Sequence, residues 1–212
     1  MAALPKPLRD SRAPGATPSV TWSAFLDLPE DDTRELIDGT LMELEVPTSF
    51  HEVIVAYLIA RLYMWTEVHG GRVLGSGYKV KINDRRGLMP DVQFYRKGRV
   101  LPHRGLDTGA PDLAIEVVSP SSGRSDKVFK LESYKRIGCP EYWIVDPSDE
   151  SILRFLLRDG EWMVANLLDE QTFRPETFPG LEISLDQLFD DPERVSADPE
   201  PEATVDAPPD GD

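Results

Sequence analysis

A chain of 212 residues is long enough to bury one sizeable core, and its 40% apolar content excludes a wholly disordered protein. No uninterrupted apolar run approaches the roughly 20 residues of a membrane-spanning helix, and the single cysteine, Cys139, excludes an internal disulfide or a cysteine-based zinc site. The net charge of -15 argues against a polyphosphate partner, but only as a sum over the whole chain.

The distribution of that charge alters the reading. Residues 188–212 hold nine acidic residues and one Arg in a Pro- and Ala-rich stretch, which predicts a disordered acidic tail over 191–212. Residues 61–136 hold fifteen Lys or Arg against eight Asp or Glu; they are expected to surround the functional site, with an ordinary solvated face as the alternative. Residues 1–18, rich in Pro, Ala and Arg and without the apolar core of a secretory signal, predict a flexible arm and a cytoplasmic protein. One domain over 19–190 lies between them.

In chain order, Thr21 to Leu28 has the cap and apolar spacing of a short helix. Asp38-Gly39 between two β-capable runs signals a hairpin. Ser49-Phe50-His51-Glu52 matches a capping box, and the apolar spacing after it predicts a helix from about Phe50 to His69, stopped by Gly70-Gly71. Strands over Arg72 to Ile82 and Asp91 to Tyr95 follow, joined by a polar turn; Lys97 to Gly109 reads as loop. After the strand Pro111 to Val118 comes a helix capped by Ser125, with Val128, Phe129, Leu131 and Tyr134 on its buried side and Gly138 at its end. A strand over Cys139 to Pro147 completes a strand–helix–strand crossover between parallel neighbours. Asp159-Gly160 centres a second hairpin, and a short helix near Leu185 closes the domain. The sum is an α/β (α+β) fold: a mixed central sheet flanked by helices, with additional hairpins.

Within that fold Glu116 demands a reason. Its strand is apolar enough to be covered on both faces, where an ionised carboxylate is costly unless a cation meets it. Asp91 opens the other β-rich run, and lysines follow in the next helix. Two carboxylates suffice for Mg²⁺ or Mn²⁺ when the ion keeps several waters and takes a phosphate as ligand, and a nearby ammonium suits phosphodiester hydrolysis. Spacing alone leaves other metal hydrolases open. Neither a P-loop nor a dinucleotide-binding glycine pattern is present.

Pro90-Asp91, Glu116-Val117-Val118-Ser119-Pro120-Ser121, Arg124-x-Asp126-x3-Lys130-x3-Tyr134 and Gly138-x-Pro140-Glu141-Tyr142-Trp143-Ile144-Val145-Asp146-Pro147, with Glu35-Leu36-Ile37-Asp38-Gly39 and His51 upstream, resemble the Uma2 family of restriction endonucleases within the PD-(D/E)xK nuclease superfamily. The likeness spans about Trp22 to Leu188. It implies a restriction endonuclease-like core and a metal-dependent endonuclease acting on DNA, with RNA as an alternative. It implies Asp91, Glu116 and Val117 as metal ligands and Lys130, or Lys127 one turn away, as the catalytic lysine. Val118 stands where the superfamily's lysine usually sits, so the ammonium must come from the following helix.

Other residues carry competing readings. His51, in a helix's first turn, is a supporting residue or a cap, and Asp112 a supporting residue or a turn former. Glu52 is explained by its capping box. Glu35 and Glu43 either enter the cleft or alternate in a half-exposed hairpin; Tyr134 and Trp143 belong in the core, as does Cys139. A homodimer would suit a double-strand cut. The alternative function is a nuclease fold without activity that binds nucleic acid or a protein.

Overall fold

A computed structural model describes residues 19–29, 31–43, 46–118, 124–166 and 171–190, with backbone alone for 124–126 and 165–166. The expected arm and the expected tail lie outside what is described; Ser125, expected as a helix cap, instead has helical backbone within the helix that begins at Arg124.

The elements are α1 (Trp22–Leu26), β1 (Glu35–Ile37), β2 (Thr40–Met42), α2 (Ser49–His69), β3 (Arg72–Gly75), β4 (Lys79–Asn83), β5 (Arg86–Leu88), β6 (Val92–Tyr95), β7 (Gly105–Leu106), β8 (Leu113–Val117), α3 (Arg124–Arg136), β9 (Glu141–Asp146), β10 (Ser151–Arg158), β11 (Glu161–Asn166), β12 (Thr172–Phe173), β13 (Ile183–Ser184) and α4 (Leu185–Leu188). A six-stranded mixed sheet has the order β11-β10-β9-β8-β6-β3, and a five-stranded sheet has the order β2-β1-β5-β4-β7. β8 and β9 are parallel across the α3 crossover, whereas β6 runs antiparallel to β8. The α/β class with mixed sheets and helical flanks is therefore as the residue pattern predicts.

Two apolar layers sandwich the larger sheet. On one face Ile54, Val55, Leu58 and Leu62 of α2 pack on Val92, Phe94, Leu113, Ile115 and Val117. On the other, Tyr134 of α3 joins Ala114, Val118, Tyr142 and Ile144, with Ile82 and Leu88 of the smaller sheet. Alternate residues of β8 feed the two layers, which is why all five of its residues are buried.

Several local expectations shift. The stretch Arg72 to Ile82 is not one strand: it breaks around Gly77, whose φ of 103° favours glycine, and its halves enter different sheets. The α2 cap is Thr48, whose hydroxyl accepts from the His51 amide at 3.2 Å, so the Ser49–Glu52 capping box does not form. Val128, expected on the buried side of α3, is 54% exposed. The Asp38-Gly39 and Asp159-Gly160 turns both have positive φ at both residues, as a two-residue hairpin requires. Among the described residues no helix is long and apolar enough to cross a membrane.

Candidate active site at the diverging ends of β6 and β8

Val92 stands opposite Ile115 in the β6–β8 ladder, and one further step of that register sets Asp91 opposite Glu116. Opposed residues of an antiparallel pair share a face and have Cβ atoms about 5 Å apart. Asp91 is just past the end of its strand, where its carboxylate turns in to accept the Val117 amide at 2.8 Å. From α2, His51 Nε2 lies 3.4 Å from the same carboxylate oxygen, while its Nδ1 is 3.3 Å from Glu52. Burial works against the charged imidazolium, but the Asp91 and Glu52 carboxylates outweigh it and raise the His51 pKa.

Glu116 is 5% exposed. One carboxylate oxygen accepts from Lys130 Nζ at 2.8 Å and the other from the Tyr134 hydroxyl at 2.7 Å. Both donors come from α3, one helical turn apart, so the crossover that joins β8 to β9 also delivers them over the β8 end. Burial pushes the Glu116 pKa up to about 8; Lys130 opposes the rise, and the negative charges of Asp91 and Glu35 add to it.

Glu35 is the third carboxylate. It is 3% exposed on β1, accepts the Met89 amide at 2.9 Å, and has an oxygen 3.8 Å from Lys130 Nζ. The five-stranded sheet thus contributes to the site through β1, a position that alternation in a half-exposed hairpin does not reveal. Tyr134 was expected only as core; a buried phenol needs an acceptor for its hydroxyl, and that need is the signal in the residue type. Its own pKa is held well above normal by burial and then by Glu116.

The structure gathers Asp91, Glu116, Val117, Lys130 and His51. Lys127 is not among them: its ammonium is 2.8 Å from Asp146 at the end of β9. Asp112 lies before the opposite end of β8, where it accepts the Arg96 amide at 2.9 Å and faces Arg96 and Arg99, so the structure does not bring it to Asp91 and Glu116. Glu52 touches His51 instead of closing a capping box, and Glu43 is exposed. The expected ring of basic residues is also incomplete, since Arg96, Lys97 and Arg99 follow β6 at the end remote from Asp91. Cys139 is buried, with its thiol pushed up to about 12 by that burial, which makes it inert.

Among the described residues no group of three or more His, Cys, Asp or Glu forms a metal-binding cluster. The available donors are the two opposed carboxylates and the main chain, a hard-oxygen set that fits Mg²⁺ or Mn²⁺. Mutual repulsion between Asp91 and Glu116, which helps to raise the Glu116 pKa, is what a shared cation would relieve.

The fold, mixed sheets flanked by helices, is shared with known proteins. A crystal structure of "a putative nuclease belonging to DUF820" from Anabaena variabilis superposes with a TM-score of 0.67, at 21% identity over 81% of this chain and 98% of that one. Residues 22–186 match the Uma2 family, described as "Putative restriction endonuclease"; the chain belongs to that family. No curated protein matches it.

Proposed function

We propose that the protein is a divalent-metal-dependent endonuclease that hydrolyses phosphodiester bonds of DNA. The observation that carries this reading is the opposition of Asp91 and Glu116 at one strand end, with the Lys130 ammonium 2.8 Å from Glu116. Asp91 and Glu116, with the main chain of Val117, are the residues that would hold Mg²⁺ or Mn²⁺. When bound, such an ion neutralises charge on the phosphoryl oxygens and acidifies water. Lys130 steadies the attacking water and the charge that builds on the phosphoryl group. Tyr134 and Lys130 together fix the Glu116 carboxylate, and His51 fixes that of Asp91.

One observation favours a second reading, an inactive nuclease fold that binds nucleic acid or a protein. Lys130 already supplies Glu116 with a counter-ion, so the carboxylate is satisfied from within the chain. Incubating the purified protein with plasmid DNA and Mg²⁺ or Mn²⁺, beside Asp91→Ala and Glu116→Ala, separates the two. Cleavage lost in both variants supports the endonuclease. Cleavage that survives both substitutions overturns the site, and failure to cut any DNA or RNA favours the binding protein.

A further inference from the structure

At the edge of the six-stranded sheet farthest from β3, β11 is hydrogen-bonded on one side to β10, and among the described residues nothing pairs with its other side. The two-residue turn at Asp159-Gly160 sets the phase of the ladder. Arg158 and Glu161 close the turn as a hydrogen-bonded pair, as do Leu156 and Met163 two steps on. The main-chain groups of Trp162 and Val164 therefore point away from β10, out of the sheet edge.

Exposed edges are usually guarded by lysine, proline, a bulge or short length. β11 is six residues long, keeps an unbroken register with β10 and contains no proline. Its one charge, Glu161, lies beside the turn and is tied to Lys135 of α3 at 2.7 Å. Met163 and Val164 point to opposite faces, yet they are 61% and 56% exposed, so the edge is apolar above and below. The other edge strand, β3, differs: it has four residues, begins with an exposed Arg72 and lies against α2.

We propose that β11 pairs antiparallel with β11 of a second copy of this chain, about a two-fold axis perpendicular to the sheet, so that two six-stranded sheets become one. Such an axis keeps each residue on its own face, so opposed residues must be an even number apart. Centring on Met163 sets it against its own copy and sets Trp162 against Val164 of the second copy. That is an aromatic–β-branched pair, and its outward main-chain groups exchange hydrogen bonds. Glu161 meets no like charge in this register. The inference is independent of the nuclease reading.

Sedimentation velocity of the full chain over a concentration series tests it. The wild type is expected to be a dimer. Val164→Pro removes an outward amide while sparing the β10 ladder, and Val164→Lys places a charge on the edge; both are expected to sediment as monomers. Met163→Cys should crosslink two copies on oxidation, because opposed Cα atoms of a non-hydrogen-bonded pair lie about 4.5 Å apart, within disulfide reach, and the native Cys139 is buried. A wild type that stays monomeric throughout, or a dimer that survives Val164→Lys, overturns the pairing. A dimer dissolved by Val164→Lys but not crosslinked at Met163 overturns the register.

Discussion

Glu116 and Glu141 are both buried carboxylates on neighbouring strands, β8 and β9, and they differ in the company they keep. One Glu141 oxygen accepts from Trp143 Nε1 at 2.7 Å and Arg154 Nε at 2.8 Å, and the other from the Thr177 hydroxyl. A single guanidinium and neutral donors leave no charge over, and they tie the segment around Thr177 to the sheet. Around Glu116 the Lys130 ammonium faces both Glu116 and Glu35, and the negative charges of Asp91 and Glu35 still add to the rise in the Glu116 pKa. A buried carboxylate is thus a structural pin where its charge is matched and a candidate for cation chemistry where negative charge is in excess.

The largest effects should separate these two sites. Asp91→Ala and Glu116→Ala are expected to lower plasmid cleavage by about 10³-fold or more, measured as initial rates on gels. Glu141→Gln should instead cost about 3–5 kcal/mol in urea unfolding, because it leaves Arg154 buried without its partner. Its cleavage rate per folded molecule should not change. A Glu141 variant that folds normally and fails to cut would break the contrast.

Within the Glu116 site, Lys130→Met should reduce cleavage by about 10²–10³-fold. Lys127→Met, whose wild-type ammonium is held by Asp146, should stay within a few-fold of wild type. Equal losses in the two variants would show that Lys127 also reaches the reacting groups.

The pH dependence follows from the Glu116 shift. An ion must displace the Glu116 proton, so Mn²⁺ affinity should rise about tenfold per pH unit toward pH 8 and level off above it. In chelator the sign reverses for stability. Burial raises the Glu116 pKa from 4.5 to about 8, so a folded state that favours the protonated carboxyl should lose stability as pH rises between those values. The His51–Asp91 interaction acts in the same direction: its contribution is full below the ordinary histidine pKa of 6.5 and is lost as pH rises through the raised value. Thermal melts across this range, with and without Mn²⁺, provide the measurement.

The smallest effect is expected from Tyr134→Phe, which removes one hydrogen bond to Glu116: about 1–3 kcal/mol of stability and a few-fold in cleavage.

Local chemistry was the legible part of the fold. Both hairpin turns, the long α2 and the parallel crossover follow from Asp-Gly dipeptides, helical spacing and glycine stops. The division of residues 72–83 between two sheets was not legible, because alternation cannot tell one strand from two that happen to be consecutive. Asp91 and Glu116 stand out in the sequence through their Pro-Asp and apolar-strand settings and through the family resemblance, and their opposed register is visible only in the sheet. Glu35 and Tyr134 reach Glu116 from β1 and α3, and such convergence leaves no local mark. Asp112 resembled Asp91 because both follow proline before a strand; antiparallel pairing of β6 and β8 puts them at opposite ends.

The most direct test is calorimetric titration of Mn²⁺ into the wild type, Asp91→Ala, Glu116→Ala and Glu141→Gln at pH 8. The account predicts Mn²⁺ binding in the wild type and in Glu141→Gln, weakened at least about tenfold in Asp91→Ala and in Glu116→Ala. Binding unchanged by loss of either carboxylate, or absent from the wild type, would contradict it.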